Sequence, residues 1–200
     1  MLKIKVKKLQ LKNTWTIARN SSDYKENVFI KIERNGIFGI GEAAPNIRYG
    51  ENTQLTIEKI RQAEKILANS DWLQFAEIKK TLDAEITNQS CAKAAIDMAI
   101  LDWVGKSLKI PLYRLWGLNP DLTPITSFSI GIDSPDMLSK KIEQAAQYPV
   151  LKIKVGTNNE KEIINTVRRI TDKPLRVDAN EAWTSKQQAL EKICWLQDQN

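Results

Sequence analysis

Histidine is absent from all 200 residues, and that absence alone removes several chemistries. No Ser-His-Asp or Cys-His relay can operate, and no histidine-ligated zinc site can form. Acid/base work near neutral pH must then come from Lys, Asp, Glu, Tyr or Cys. Cysteine is scarce: Cys91 and Cys194 stand far apart with no ligand-like or disulfide-like pattern around them. With no signal-peptide pattern at the start, a reduced, cytoplasmic setting is expected. Long apolar runs are lacking too. None approaches the ~20 residues that a membrane-spanning helix needs, so no membrane partner is expected.

What is there describes a globular protein: 42% of residues are hydrophobic and 27% charged, and the length allows one or two domains. The formal charge of +6 is unevenly placed. Lys3, Lys5, Lys7, Lys8 and Lys12 crowd the first twelve residues, so the excess is one basic strand. A nucleic-acid-binding module would need a basic surface mixed with aromatics, and no nucleic-acid partner is expected.

Leu2-Lys3-Ile4-Lys5-Val6-Lys7 alternates strictly, which predicts a half-buried strand whose lysines protect an edge. Residues 28–33 and 37–42 flank Asn35-Gly36, a strong hairpin signal because both residues tolerate positive φ. Helices are predicted over 54–68 (capped by Thr53), over about 72–86 (capped by Asp71), and after Ser90, where Ala92, Ala95, Ile96, Ala99, Ile100 and Trp103 share a face. Pro111 opens a short helical piece that Gly117 ends. Past Asn119-Pro120 the rhythm changes. Strand-like 125–131, 150–155 and 175–179 each precede a helical pattern, predicting three β-α units and parallel strands. The boundary between the two parts is expected near 117–123.

Leu-Lys-Ile-Lys-Val occurs twice, at 2–6 and at 151–155, and context separates the copies. In an antiparallel meander one face meets water, so the first copy reads as a solvated edge. Parallel strands are covered on both faces. In the second copy Leu151, Ile153 and Val155 therefore face helices, while Lys152 and Lys154 face the sheet's closed side. Two adjacent inward ammonium groups are costly unless something anionic meets them. Gly156 follows at once, placing both lysines at the strand's C-terminal end, where α/β folds carry their chemistry.

One β-α-β repeat further on, Arg176, Asp178 and Asn180 share a face by period two. With adjacent strands about 4.8 Å apart, the Asp178 carboxylate can reach the lysine pair. A carboxylate and a side-chain amide at a strand end suit an oxygen-ligated divalent metal such as magnesium. The alternative is that Asp178 simply neutralises Lys152 or Lys154. Ser127 and Ser129 share a face of the first unit, Ser129 nearer the exit, able to bind substrate or merely to line the interior.

Lys152-Ile-Lys154 followed by Asp178-Ala179-Asn180 resembles the enolase superfamily, specifically its muconate-lactonising subgroup. Gly39-Ile40-Gly41-Glu42-Ala43, the Ala-rich helix at 91–103 and Pro111–Gly117 look like that family's capping domain. Trp15–Arg19 and Thr126–Ser129 look most like dipeptide epimerases of the L-Ala-D/L-Glu type. The resemblance implies an α+β capping domain (1–122) followed by a TIM-type (β/α) barrel, of which 123–200 holds only about the first three β-α units. Three units cannot close a barrel. The chain is therefore expected to be part of a protein longer by on the order of 130–170 residues.

The resemblance further implies a magnesium-dependent isomerase. It would remove and return the α-proton of a dipeptide's C-terminal residue through an ene-diolate, with a lysine base and magnesium as such sites use. Lys154 would be the acid/base. Lys152 would contact the substrate carboxylate and, by its charge, help Lys154 give up its proton. Asp178 would be a metal ligand with Asn180 beside it, and Ser129 would bind substrate. Trp15, Ile17, Arg19 and Tyr49 would lie in a mobile cap loop that selects the substrate. The expected partners are a dipeptide or related small carboxylate and, in a homo-oligomer, further copies of the chain. A muconate-type cycloisomerase and an o-succinylbenzoate synthase remain alternatives with the same half-site; a non-catalytic binding protein is the remote one.

Overall fold

The strand that opens the chain runs well beyond its strictly alternating first residues. In the computed structural model, which describes residues 1–157 and 159–199, β1 (Leu2–Ile17) and β2 (Asn20–Arg34) form one long hairpin, and β3 (Ile37–Ala43) completes a three-stranded sheet of order β1-β2-β3. The expected turn sits at Asn35 and Gly36, both at positive φ (54° and 73°), and β2 pairs antiparallel with β3 from Arg34–Ile37 to Val28–Ala43. The stretch predicted as a cap loop around Trp15 and Ile17 is instead the end of β1, with Ala18 and Arg19 in the turn.

The chain separates into two units. Met1–Gln10 and Tyr24–Leu122 form one; Leu11–Asp23, the hairpin tip, and the chain from Thr123 onward form the other. In the first, helices α1 (Thr53–Gln62), α2 (Glu64–Asn69), α3 (Phe75–Glu85), α4 (Ser90–Leu108) and the one-turn α5 (Leu112–Leu115) accompany the sheet. The helix expected over 54–68 is thus two, broken at Ala63, and its first cap is Asn52, whose side chain accepts the Leu55 N–H, rather than Thr53. The third helix starts at Phe75 instead of Trp72. Trp72 is held outside it, its indole N–H on the Leu67 carbonyl and its ring edge-on to Trp103.

Helix α4 lies directly on β3, and two glycines make that approach possible. A Cβ on Gly39 would sit 1.9 Å from the Ala99 carbonyl oxygen, and one on Gly41 would sit 1.8 Å from that of Ala95. The predicted small-residue face (Ala92, Ala95, Ala99) is buried against this sheet with Val28, Ile30 and Ile32. The outer edge of β3 is closed by α4 side chains: Asp102 accepts the Ile40 N–H, and Lys106 donates to the Phe38 carbonyl. The edge therefore leaves fewer unpaired backbone groups to template aggregation.

The N-terminus of α4 is capped from outside the helix. Gln89 precedes it at positive φ without a side-chain cap, and buried Glu51 accepts hydrogen bonds from the Cys91 N–H, the Ser90 hydroxyl and the Asn46 N–H. Burial pushes the Glu51 carboxyl up, but these donors outweigh it and the net direction is down.

The second unit builds β4 (Ser127–Ile130), β5 (Val150–Lys154) and β6 (Leu175–Asp178) into a parallel sheet of that order. Each strand is followed by a helix: α6 (Pro135–Gln144), α7 (Glu160–Arg168) and α8 (Lys186–Gln197). Leu151, Ile153 and Val155 are buried with Leu138 and Ile142 of α6 and Ile163, Ile164 and Val167 of α7. Among the described residues no helix is long and apolar enough to cross a membrane.

Two outcomes follow. Gly41→Val drives a side chain into the α4 backbone and should destabilise the protein by about 3 kcal/mol, read as a lower urea midpoint. Glu51→Gln should cost about 1 kcal/mol at neutral pH. A carboxyl depressed on folding contributes its stability above its ordinary value of 4.5 and loses it as pH falls through the lower folded value. The difference in melting temperature between wild type and Glu51→Gln should therefore shrink on acidification below about pH 4.

Candidate active site

Parallel pairing lines up the residues that period two places on the closed face. Ser129 is the register partner of Lys152, Lys152 of Arg176, and Lys154 of Asp178. Register partners in a sheet project to the same side, so these side chains share a face, opposite the one that packs on α6 and α7.

On that face one carboxylate serves two ammonium groups. Asp178 Oδ2 lies 2.8 Å from Lys152 Nζ and 2.7 Å from Lys154 Nζ. Lys154 is buried, at 8% exposure, and Lys152 opens onto an indentation of about 620 Å³ bordered by Ser127, Arg176, Asp178 and Asn180. The hydrogen bonds from Lys152 and then Lys154 hold the Asp178 carboxyl well below the usual carboxylate range, against an opposing push from burial. Arg176 Nη1 lies 3.5 Å from the Ser127 hydroxyl, adding a third cation. The face holds more positive charge than Asp178 alone can balance, which suits an anionic ligand.

The chain turns sharply after Asp178. Asn180 and Glu181 both take positive φ (49° and 66°), and the Asn180 N–H donates to Asp178 Oδ1 at 2.9 Å. Asn180 Oδ1 is buried without a hydrogen-bond partner. Gly156, at φ 111°, lets this corner approach: a Cβ there would lie 2.6 Å from the Ala179 oxygen and 2.9 Å from Ala18 Cβ. The hairpin tip is tied to the same strand ends. Ile132 N–H donates to the Thr16 carbonyl, Arg19 pairs with Glu181 at 2.8 Å, and the buried Lys141 ammonium, paired with Asp133 at 2.8 Å, also donates to the Thr14 carbonyl at 3.4 Å.

Of the residues singled out from sequence, Ser129, Lys152, Lys154, Asp178 and Asn180 thus gather at the strand ends, and Arg19 reaches the corner through Glu181. Trp15 and Ile17 are half-buried at the end of β1. Tyr49 belongs to the first unit, exposed at the end of a short 3-10 helix. Sequence reasoning passed over Glu181, Glu160 and Trp183. Trp183 Nε1 donates to Glu160 at 2.8 Å. The one available signal was an acidic residue at the predicted start of α7, which reads as ordinary helix-dipole compensation.

Among the described residues no three His, Cys, Asp or Glu side chains cluster as a metal site. Magnesium is commonly held by one or two carboxylates, with waters and substrate completing its shell. The Asp178 carboxylate and the partnerless Asn180 Oδ1 are hard oxygen donors of the right kind, so the residues present fit part of such a site.

Comparison with known proteins agrees with this architecture. Residues 2–117 match the family described as mandelate racemase / muconate lactonizing enzyme, N-terminal domain. The L-Ala-D/L-Glu epimerase of Bacteroides thetaiotaomicron is 38% identical over 191 residues, covering 95% of this chain and 50% of that protein. The L-Ala-D/L-amino acid epimerase of Pedosphaera parvula is 38% identical over 194 residues, covering 94% and 55%. A dipeptide epimerase from Enterococcus faecalis, solved with Mg and the dipeptide L-Leu-L-Tyr, superposes with a TM-score of 0.89 at 32% identity, over 98% of this chain and 57% of that one. The chain spans about half the length of these relatives and is homologous to dipeptide epimerases. It belongs to the mandelate racemase / muconate lactonizing enzyme family of the enolase superfamily.

Proposed function

We propose that the chain carries half of the active site of a magnesium-dependent dipeptide epimerase. The observation that carries the reading is the sharing of one carboxylate by two lysines at the C-terminal ends of adjacent parallel strands. Homology to dipeptide epimerases supplies the substrate class.

In this reading Lys154, once neutral, takes the α-proton of the dipeptide's C-terminal residue onto Nζ. The C–H electron pair moves into the adjacent carboxylate. Burial of Lys154 keeps bulk water from quenching the α-carbanion while it exists. The ammonium hydrogens of the acid/base groups are replaced from solvent between turnovers, which is how deuterium reaches that carbon. Lys152, facing the cleft, meets the substrate carboxylate as a fixed cation, and Ser129 beside it in register offers a hydroxyl to the substrate. Asn180 Oδ1, buried and without a partner, accepts from a substrate N–H or contributes a metal ligand. Trp15, Ile17 and Arg19 of the hairpin tip meet the substrate's side chains. A second acid/base group acts on the opposite face of the α-carbon; inversion requires one. Magnesium, held in part by Asp178, would stabilise the negative charge that gathers on the substrate carboxylate.

The surplus of cations over anions is what favours this reading over simple neutralisation of the lysines by Asp178. A structural ion pair needs one lysine; the second, Lys152, keeps its side chain 35% exposed toward the indentation, where its repulsion with Lys154 is a cost that an anionic substrate would offset.

The test uses the complete protein, magnesium and a dipeptide library in deuterated water. Deuterium entering one α-carbon without net loss of mass is the expected result. Loss of water or ring closure would instead select a dehydratase or a cycloisomerase. Lys154→Ala should lower α-proton exchange by about 10²–10⁴-fold while leaving magnesium affinity nearly unchanged; undiminished exchange contradicts the role given to Lys154.

A further inference from the structure

The corner that carries Asp178 and Asn180 is strained, and something must hold it. Asn180 and Glu181 are consecutive non-glycine residues at positive φ, a conformation that persists only where the surroundings over-determine it. Asp178 itself is tied to β5 by Lys152, Lys154 and the Val155 N–H; beyond it the corner has the Asn180 N–H on Asp178, the Ala182 N–H on the Ala179 carbonyl, and the Arg19–Glu181 pair. The last has side chains 37% and 59% exposed and is worth little in water. A further contact comes from α7, through a carboxylate that is itself buried. Trp183, five residues after Asp178, sends its indole N–H to Glu160 Oε1 at 2.8 Å.

Glu160 is an unusual residue to find there. It opens α7, where acidic residues ordinarily compensate the helix dipole in solvent, yet it is only 8% exposed. A buried carboxylate is costly unless its oxygens are met. Here the Trp183 indole meets one oxygen and the Lys192 ammonium of α8 the other. One carboxylate thus ties α7, α8 and the loop after β6 together.

We infer that Glu160 is a positioning residue for the Asp178–Asn180 corner, acting through the Trp183 indole. The anchoring is a property of this fold. Its consequence for metal binding rests on the proposed role of Asp178.

The test separates the two in the complete protein. Trp183→Phe keeps the ring and removes only the N–H; Glu160→Leu removes the acceptor; Glu160→Gln removes the charge that pairs with Lys192 but keeps an oxygen for the indole. Amide hydrogen exchange is followed in peptides covering 178–184. Exchange should rise about tenfold or more in Trp183→Phe and Glu160→Leu and stay near wild type in Glu160→Gln. That rescue is one a plain buried ion pair would not show. Unchanged exchange in Trp183→Phe overturns the inference, as does a Glu160→Gln variant that loosens as much as Glu160→Leu. Magnesium titration of the same variants addresses the consequence: affinity should fall about tenfold in Trp183→Phe, the size expected for a partner that orients a ligand. A loosened loop with unchanged magnesium affinity supports the anchor and counts against Asp178 as a ligand.

Discussion

The sharing of the Asp178 carboxylate between Lys152 and Lys154 is the constraint on which the second unit's site depends. Two ammonium groups on alternate residues of a short parallel strand repel each other and resist burial. They are tolerated here because parallel register brings Asp178 opposite Lys154 and its Oδ2 within hydrogen-bond reach of both. That register in turn depends on the apolar residues that alternate with them. Leu151 and Ile153 are wholly buried against α6 and α7, and a one-residue slip would exchange them with the lysines.

The strand ends are shaped by close approaches more than by large side chains. Gly156 allows the hairpin tip and the loop after β6 to approach one strand end, Lys141 braces Asp133, and Trp183 ties the loop to Glu160. In the first unit, Gly39 and Gly41 do the same for α4 on β3. In both units a glycine beside a strand end or edge decides which backbone segments can touch, and side chains then satisfy the polar groups that result.

Much of this could be read from the residues alone. Leu-Lys-Ile-Lys-Val at two places shows how: the same alternation faces solvent in an antiparallel sheet and lies within the closed face of a parallel one, and only the surrounding β-α rhythm separates them. Asn35-Gly36 announced its turn because few residue pairs tolerate positive φ twice. The long hairpin was not legible. Adjacent Lys7 and Lys8 interrupt the alternation, and the strand continues through pairs such as Lys8 over the Tyr24 ring, at 3.8 Å from the centroid, which join residues far apart in sequence. The Glu160–Trp183 anchor was hidden for the same reason. Its two members lie in different β-α units, and neither residue announces a partner. Trp72 escaped its predicted helix because a non-local partner, Trp103, holds its ring.

The proposed function requires Asp178 to be more than a counter-ion for two lysines. Magnesium titration of the complete protein, wild type against Asp178→Asn, tests this directly, since the amide keeps the shape and removes the charge. Affinity should fall by at least about tenfold in Asp178→Asn. Equal affinity in the two proteins would contradict the proposed function and leave Asp178 as a neutralising partner of Lys152 and Lys154.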